Sequence, residues 1–197
     1  MPGGRPRAFD PDAALDRALE VFWRQGYEGT ALSDLTAAMG INKPSLYAAF
    51  GNKEELFATV VDRYVSGPGA YAGQALDQPR ARDVIERLVY GAVDLTTRPQ
   101  TPGCLAVACV QACGPDAEPA RQHAIACRKA SETALRRRLE RARDEGDLAG
   151  DPADVARFVM TVTDGIAVQA AGGTTRKELL RGAEMALRAL SKTTLTT

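Results

Sequence analysis

Residues 30–50, with the sequence TALSDLTAAMGINKPSLYAAF, predict two short helices joined by a tight turn. The apolar residues expected on the inner face of the first helix recur at i, i+3 and i+7: Leu32, Leu35 and Met39. Gly40 predicts the end of this helix, because glycine adopts the left-handed backbone conformation at little cost. Leu46 and Phe50, one turn apart, predict the buried side of the second helix. Two such helices form a helix-turn-helix, whose second helix lies in the major groove of DNA.

Polar residues mark where these two helices begin. Thr30 is the expected cap of the first helix, because its hydroxyl can accept from the free amides of the first turn. Asn42 is the expected cap of the second helix, and Pro44 is tolerated in its first turn, where the backbone amide has no partner in any case. The side chains left on the outer face of the second helix are Lys43, Ser45 and Tyr47.

The longer run GYEGTALSDLTAAMGINKPSLYAAFGNKEELF, residues 26–57, resembles the DNA-binding domain of the TetR family of bacterial repressors. The positions that match the family pattern are Gly26, Tyr27, Thr30, Asp34, Leu35, Gly40, Ile41, Lys43, Leu46, Tyr47, Phe50, Lys53, Glu54, Leu56 and Phe57. Two positions depart from it. Ala31 stands where the family often has a second hydroxyl residue, and Pro44 stands where it often has a small flexible one.

The resemblance implies an all-α protein with an N-terminal three-helix DNA-binding domain and a C-terminal helical bundle for ligand binding and dimerisation. Residues 1–8 are the expected flexible basic arm, and residues 9–52 the helix-turn-helix domain. A fourth helix over 53–66 links this domain to a regulatory and dimerisation domain over 67–197. The glycine- and proline-rich stretch SGPGAYAGQALDQP, residues 66–79, is consistent with a boundary there.

The expected partner is double-stranded DNA, a palindromic operator bound by a homodimer. The residues expected to contact it are Arg5, Arg7, Thr30, Asn42, Lys43, Pro44, Ser45, Tyr47 and Lys53. Within this set, Thr30 and Lys53 are expected to hold phosphates. The arginines of the arm either enter the minor groove or make only loose phosphate contacts.

The net charge by itself does not indicate a nucleic-acid-binding protein. The 197 residues carry no net charge, and the first 66 contain seven lysines and arginines against nine aspartates and glutamates, a formal charge of −2. Affinity for duplex DNA depends largely on phosphate neutralisation, so the acidic residues must face away from DNA. The basic run Arg136, Arg137 and Arg138 is interleaved with acidic residues and predicts a solvated helix face.

The start of the chain lacks the apolar run of a signal peptide, and no segment is long and apolar enough to cross a membrane. We therefore expect a cytoplasmic protein that does not bind membranes, with its four cysteines reduced.

The cysteines and the single histidine, His123, invite a metal or redox interpretation. The spacing lacks a CxxC pair and two of the cysteines lie in an apolar helix, so we expect no metal and no cofactor. Redox sensing at Cys104 stays an alternative, with a resolving partner among Cys109, Cys113 and Cys127. No catalytic set can be assembled from the sequence, so an enzyme is not expected.

The resemblance also implies an effector pocket and a dimer contact in the C-terminal domain. The residues predicted to line the pocket are Tyr64, Tyr90, Cys104, Gln111, Phe158, Met160, Thr163 and Asp164. The last two helices are expected to form the dimer contact, through Val155, Phe158, Val159, Val162, Ile166, Leu179, Ala183, Leu187 and Leu190.

These patterns lead to one hypothesis and two alternatives. The hypothesis is a sequence-specific DNA-binding transcriptional regulator, a repressor released by a small effector that the sequence does not identify. The alternatives are a thiol-based redox-sensing regulator on the same scaffold and a helical interaction protein without DNA binding.

Overall fold

The computed structural model describes residues 9–112 and 117–193, and these form ten α-helices and no strand. The helices are α1 Pro11–Gly29, α2 Leu32–Met39, α3 Lys43–Phe50, α4 Lys53–Ser66, α5 Tyr71–Ala75, α6 Ala81–Thr96, α7 Leu105–Ala112, α8 Glu118–Asp144, α9 Pro152–Ala171 and α10 Arg176–Thr193. The predicted all-α class is therefore confirmed. Three of the residues discussed above, Arg5, Arg7 and Cys113, lie outside the described ranges.

Local capping explains where the N-terminal helices begin and end. The Asp10 carboxylate starts α1 by accepting from the amide of Asp12 at 3.0 Å. Gly40 ends α2 with φ at 68°, and the Asn42 side chain then starts α3 by accepting from the amide of Ser45 at 2.9 Å. Both of these predicted signals are confirmed, and they fix the sharp turn between α2 and α3.

Helices α1 to α4 pack around an aromatic centre. The ring centroids of Phe22 and Phe57 lie 5.1 Å apart in an edge-to-face arrangement, and Tyr27 packs against Phe57 in the same way at 5.0 Å. Edge-to-face contacts of this kind add to the free energy gained by burying the rings. Leu35 of α2 and Leu46 of α3 are buried against the same centre, which orients the helix-turn-helix on α1 and α4.

This first hydrophobic core extends well beyond the N-terminal domain. Leu105 and Cys109 of α7 belong to it, as do Ala120 and Ala124 from the first half of α8. The N-terminal domain and the adjoining part of the body therefore share one continuous core, with α4 between them.

A second core holds the body together. It is formed by α6, α9, α10 and the second half of α8, and its fully buried residues include Val84, Ile85, Leu135, Leu139 and Val159. Helix α8 contributes to both cores, the first half to one and the second half to the other. A shift of α8 would therefore be felt in both.

The predicted boundary over residues 66–79 contains a short helix, α5, and a turn that is held by Arg138. The Arg138 guanidinium donates to the carbonyls of Leu76, Gln78 and Pro79 at 3.1, 2.8 and 2.9 Å, and the residue is only 7% exposed. The prediction of a solvated arginine face is therefore wrong at Arg138, because the turn after α5 offers three carbonyls that need donors.

Within residues 9–112 and 117–193, no helix is long and apolar enough to cross a membrane.

Candidate DNA-binding surface

Helix α3 has one buried side and one side open to solvent. Leu46 is 1% exposed in the core, whereas Tyr47, the next residue, is 48% exposed. Lys43 is also exposed, one helical turn before Tyr47. This outer side of α3 carries a cation and an amphipathic aromatic ring, groups that can contact phosphates and base edges respectively.

Three further predicted contact residues lie at the start of α3. Asn42 and Pro44 are exposed and Ser45 is half-buried. The Asn42 side-chain oxygen is already used to cap the helix, which leaves its amide group for an external acceptor. The three residues thus form the edge of the surface that Lys43 and Tyr47 dominate.

Thr30 has a different role from the predicted one. Its side chain is 1% exposed, and its hydroxyl donates to the carbonyl of Gly26 at 2.6 Å. The residue that precedes α2 is Ala31, whose amide donates to the Asp34 carboxylate at 3.1 Å. The predictions that Thr30 caps α2 and holds a phosphate are therefore corrected: Gly26, with φ at 71°, breaks α1, and the hydroxyl satisfies the carbonyl released there.

Lys53 is placed by the start of α4. Asn52 and Glu55 form a reciprocal capping box there, with the Asn52 oxygen 2.9 Å from the Glu55 amide and the Glu55 carboxylate 2.8 Å from the Asn52 amide. The Lys53 ammonium lies 4.4 Å from the centroid of the Tyr27 ring, a cation–π distance. The capping box and the ring together hold this positive charge near the surface formed by α3.

Several acidic residues of the first four helices contact basic side chains on α4 and α8. Asp16 makes a two-point contact with the Arg63 guanidinium at 2.8 and 3.0 Å, and Asp12 lies 3.6 Å from the same group. Asp62 pairs with His123 at 3.0 Å. Arg63 thus contacts both Asp12 and Asp16, whereas Lys43 is exposed on α3.

Three of the residues predicted to line a ligand pocket form a polar cluster inside the body. The Tyr64 hydroxyl donates to the sulfur of Cys104 at 3.1 Å, and Asp164 pairs with Arg128. Burial, and then the nearby Cys104, raises the pKa of Tyr64. Tyr71 belongs to the same cluster, because burial and then Cys104 and Asp164 raise the pKa of its hydroxyl.

Asp164 is a partly buried charged residue of α9. Burial raises the pKa of this carboxyl, and the Arg128 guanidinium acts in the opposite direction. Arg128 lies near the middle of α8 and Asp164 lies on α9. The ion pair therefore joins the two longest helices of the body.

The other predicted pocket residues differ in exposure. Gln111 and Phe158 are exposed, whereas Tyr90, Met160 and Thr163 are half-buried. A cleft of about 720 Å³ opens elsewhere, between α1, α4 and residues 98–101, and Trp23, Arg63 and Arg98 are among its lining residues. A smaller cleft of about 320 Å³ lies beside Arg138. Neither cleft is lined by any of the eight predicted pocket residues.

Most of the predicted dimer contacts are buried within the chain itself. Seven of the nine predicted residues belong to the second core: Val155, Val159, Ile166, Leu179, Ala183, Leu187 and Leu190. Side chains already packed inside one protomer have little surface left to bury, so these seven are weaker candidates for the dimer contact, which stays a prediction. Val162 is half-buried and Phe158 is 39% exposed, and Val168 and Met185 are further exposed apolar residues on these two helices, at 42% and 67%.

Sequence reasoning missed Tyr71, Arg128 and the approach of Asp62 on α4 to His123 and Cys127 on α8. The Asp62 carboxylate, a ring nitrogen of His123 and the sulfur of Cys127 all lie within 4.8 Å of one another. Burial, followed by the Asp62 charge, raises the pKa of the Cys127 thiol. No signal along the chain could have found this group, since Asp62 and His123 are 61 residues apart.

The chain is similar to known proteins both in sequence and in structure. Residues 14–60 match the family described as bacterial regulatory proteins, tetR family. The HTH-type transcriptional repressor ComR of Escherichia coli K12 is 32% identical over 190 residues, which cover 94% of this chain and 90% of ComR. The HTH-type transcriptional repressor BdcR of the same strain is 31% identical over 194 residues, which cover 95% of this chain and 92% of BdcR.

A solved structure is similar over nearly the whole chain. It is the TetR family transcriptional regulator CifR, a cysteine mutant in complex with 26 bp double-strand operator DNA. The identity is 43%, the match covers 94% of this chain and 99% of CifR, and the TM-score is 0.88.

Proposed function

The chain belongs to the TetR family of bacterial regulatory proteins, and we propose that it is a sequence-specific DNA-binding transcriptional repressor released by a small effector. The predicted family and the predicted helix-turn-helix regulator agree with its relatives, two of which carry the name of transcriptional repressors. The observation that supports DNA binding most directly is the outer side of α3, where Lys43 and Tyr47 are exposed while Leu46 anchors the helix in the core.

In this proposal, each part of the surface has its own task. Lys43 contacts a phosphate or a base acceptor at the start of α3, and Tyr47 contacts base edges one turn later. Lys53, held at the start of α4, supplies a phosphate contact that sets the register of the domain on the duplex. Few long side chains project from α3, so thymine methyl contacts and groove shape contribute to specificity.

Two protomers are needed to read a palindromic operator. Their α3 helices would enter successive major grooves about 34–36 Å apart. We assign the dimer contact to the outward side of α9 and α10, because Phe158, Val168 and Met185 expose apolar surface there. Such surface on neighbouring helices is typical of an interface between subunits.

We place the effector contact at the polar cluster of Tyr64, Tyr71, Cys104 and Asp164. Tyr64 lies on α4, the helix that follows the helix-turn-helix, and its ring packs edge-to-face on Trp23 of α1 at 4.8 Å. An effector that displaces Tyr64 would therefore move α1 and α4 together. It would release DNA only if it binds that arrangement more tightly than the DNA-bound one.

The decisive experiment measures fluorescence anisotropy of DNA from upstream of the protein's own gene at several salt concentrations. The wild type is compared with a Lys43→Ala, Tyr47→Ala double variant and with Lys129→Ala, which removes an exposed lysine of α8. We expect saturable binding of two protomers to one fragment, loss of that binding in the double variant, and wild-type affinity in Lys129→Ala.

Two results would contradict the proposal. One is binding that does not distinguish this fragment or other genomic fragments from unrelated DNA. The other is equal affinity of the wild type and the double variant, since the outer side of α3 would then make no contact. Weak binding that shows both results, with other genomic fragments as well, would make a helical interaction protein without DNA binding the better description.

A further inference from the structure

Three side chains of different chemistry meet where α4 crosses α8. Asp62 projects from the C-terminal half of α4, and His123 and Cys127 project from the first half of α8. A carboxylate oxygen, an imidazole nitrogen and a sulfur all lie within 4.8 Å of one another, and the oxygen and nitrogen are 3.0 Å apart. We propose that Asp62, His123 and Cys127 bind a divalent transition-metal ion of the Zn²⁺ class.

The spacing on α8 suits a shared ligand. His123 and Cys127 are four residues apart in one helix, so they lie on the same face one turn above each other. An i, i+4 pair on a helix is a common way to present two metal ligands from a rigid element. The third ligand comes from α4, so neither helix holds the whole site.

The donor set determines the class of metal. A thiolate and an imidazole are soft and borderline donors that favour Zn²⁺ and related ions, whereas Mg²⁺ and Ca²⁺ require mainly oxygen. Three protein ligands leave a fourth tetrahedral position for water. With bonds of 2.0–2.3 Å, tetrahedral ligand atoms lie about 3.3–3.8 Å apart. Side-chain rotation must therefore separate the oxygen and nitrogen slightly from their 3.0 Å distance and place the sulfur within that range of both.

The group is accessible to solvent, and the two neighbouring arginines of α8 pair with other carboxylates. The side chains of Asp62 and His123 are 67% and 33% exposed, and Cys127 is half-buried at the edge of the first core. The two neighbouring arginines of α8 turn elsewhere, since Arg121 pairs with Glu118 and Arg128 with Asp164. An ion can therefore enter from solvent and find its ligands.

Occupancy would tie the DNA-binding domain to the body. Helix α4 packs against the helix-turn-helix on one side, and the metal would fix it to α8 on the other. The metal would then change DNA affinity by favouring one position of α4, and DNA would change metal affinity by the same factor. This consequence rests on the proposed function, whereas the metal site itself does not.

Cobalt absorption tests the site directly. Co²⁺ is titrated as a probe for Zn²⁺ into the full chain, without a histidine tag and with its thiols reduced. We expect one Co²⁺ per chain, a thiolate-to-cobalt charge-transfer band in the near ultraviolet, and its loss on addition of Zn²⁺. The band should disappear in Cys127→Ser and persist in Cys104→Ser, which removes a thiol on α7's N-terminal side.

Variants of Asp62 and His123, and the NMR signals of the His123 imidazole, complete the test. His123→Gln and Asp62→Asn should each weaken metal binding by at least about tenfold, the minimum seen when even a supporting partner of a ligand is lost. His123 is the only histidine, so its imidazole NMR signals are unambiguous and should shift on addition of Zn²⁺. Circular dichroism melts establish that each variant is folded.

The outcomes separate the site from its consequence. A wild type with no saturable thiolate band, or a band that survives Cys127→Ser, overturns the metal site. If the site binds metal, anisotropy with the operator is repeated with and without Zn²⁺, and we expect a change in Kd of about fivefold or more in the wild type and none in Cys127→Ser. An unchanged Kd in Zn²⁺-loaded protein would refute the coupling alone, and metal binding without any operator binding would refute only the proposed function.

Discussion

The indole nitrogen of Trp23 donates to the carbonyl of Gly103 at 3.1 Å, across 80 residues of sequence. Trp23 lies on α1 and Gly103 in the loop before α7, so this bond joins the DNA-binding domain directly to the body. Gly103 has φ at 83° and lies against α9, where an added Cβ would come within 3.1 Å of Ala171. The loop therefore has little freedom to follow Trp23 if α1 moves.

Trp23→Phe should destabilise the protein by about 1–3 kcal/mol. The substitution removes the indole donor and leaves the Gly103 carbonyl, in a buried contact, without its partner. Urea unfolding followed by circular dichroism measures the effect. Trp23 is the only tryptophan, so in the wild type its fluorescence should also change when an effector or operator alters the contact between α1 and the body. A free energy of unfolding equal to that of the wild type would show that the Trp23–Gly103 hydrogen bond does not stabilise the contact between the DNA-binding domain and the body.

Thr30→Val should lower the free energy of unfolding and leave the salt dependence of DNA binding unchanged. The hydroxyl is buried and donates to the carbonyl of Gly26, so its loss should cost about 0.5–1.5 kcal/mol. Because no phosphate contact is lost, the slope of log affinity against log salt should stay the same. Lys43→Ala is the comparison, and it should reduce that slope by about one. A reduced slope in Thr30→Val would restore the phosphate role that the structure argues against.

Arg128→Ala should raise the pKa of Asp164 further. Burial already raises it, and Arg128 is the group that opposes this effect. An acid whose pKa is raised in the folded state binds more protons there, so stability should fall as pH rises from the usual aspartate value of about 3.9 through the raised pKa. In Arg128→Ala this fall should extend to higher pH.

Carboxyl carbon NMR shifts of Asp164 measure this pKa directly. Arg136→Ala is the matched control, because Arg136 pairs with Glu140 on the same helix and not with Asp164. A lower pKa in Arg128→Ala than in the wild type would mean that the ion pair is not the main partner of this carboxyl.

Gly91→Ala should destabilise the body by about 1–3 kcal/mol. A Cβ added at residue 91 would lie 2.3 Å from a ring carbon of Tyr71, so the ring would have to leave its place on α6. Gly73→Ala, in the short helix that Tyr71 begins, meets nothing within 4 Å and should be neutral or stabilising by up to about 1 kcal/mol. Thermal unfolding compares the two variants, and equal effects would contradict the close approach of Tyr71 to α6.

Met185→Glu and Phe158→Glu should each convert a dimer to monomers without unfolding them. Both side chains are exposed on the outward side of α9 and α10, where a charge costs a monomer little but cannot be buried in an apolar interface. Sedimentation velocity measures the change, with Arg137→Glu on the exposed side of α8 as the control. Leu179→Ala should behave in the opposite way, losing about 2–5 kcal/mol of stability because it is buried within one protomer. Dimers that survive both glutamate substitutions would place the interface elsewhere.

The helix-turn-helix could be predicted because its signals are local. The glycine after α2, the asparagine cap of α3 and the apolar spacing of both helices act over a few residues, and the structure has each of them in place. The starts of α9 at Asp151 and of α4 at Asn52 follow the same rule, since each cap is set by the side chain beside it. The residues that resemble the TetR family, 26–57, include this helix-turn-helix.

The packing partner of the apolar stripes on α9 and α10 could not be predicted from the sequence. The apolar stripes of α9 and α10 were identified, but the spacing of a stripe does not say whether it packs on the chain's own helices or on a second copy. The structure packs Val155, Val159 and Leu187 inside the second core, and leaves Phe158 and Met185 outside. Which residues of α9 and α10 are buried depends on α6 and α8, because these helices pack against the apolar stripes in the second core.

By itself, the sequence determined the helix-turn-helix, the glycine that ends α2 and the asparagine that caps α3, because backbone preferences and capping act between residues that are near in the chain. Only the tertiary structure decided that Thr30 is an internal donor, that Arg138 holds the turn after α5, and that Asp62 meets His123 and Cys127. These contacts join side chains whose proximity follows from how the helices pack, and helix packing depends on the whole set of buried side chains at once.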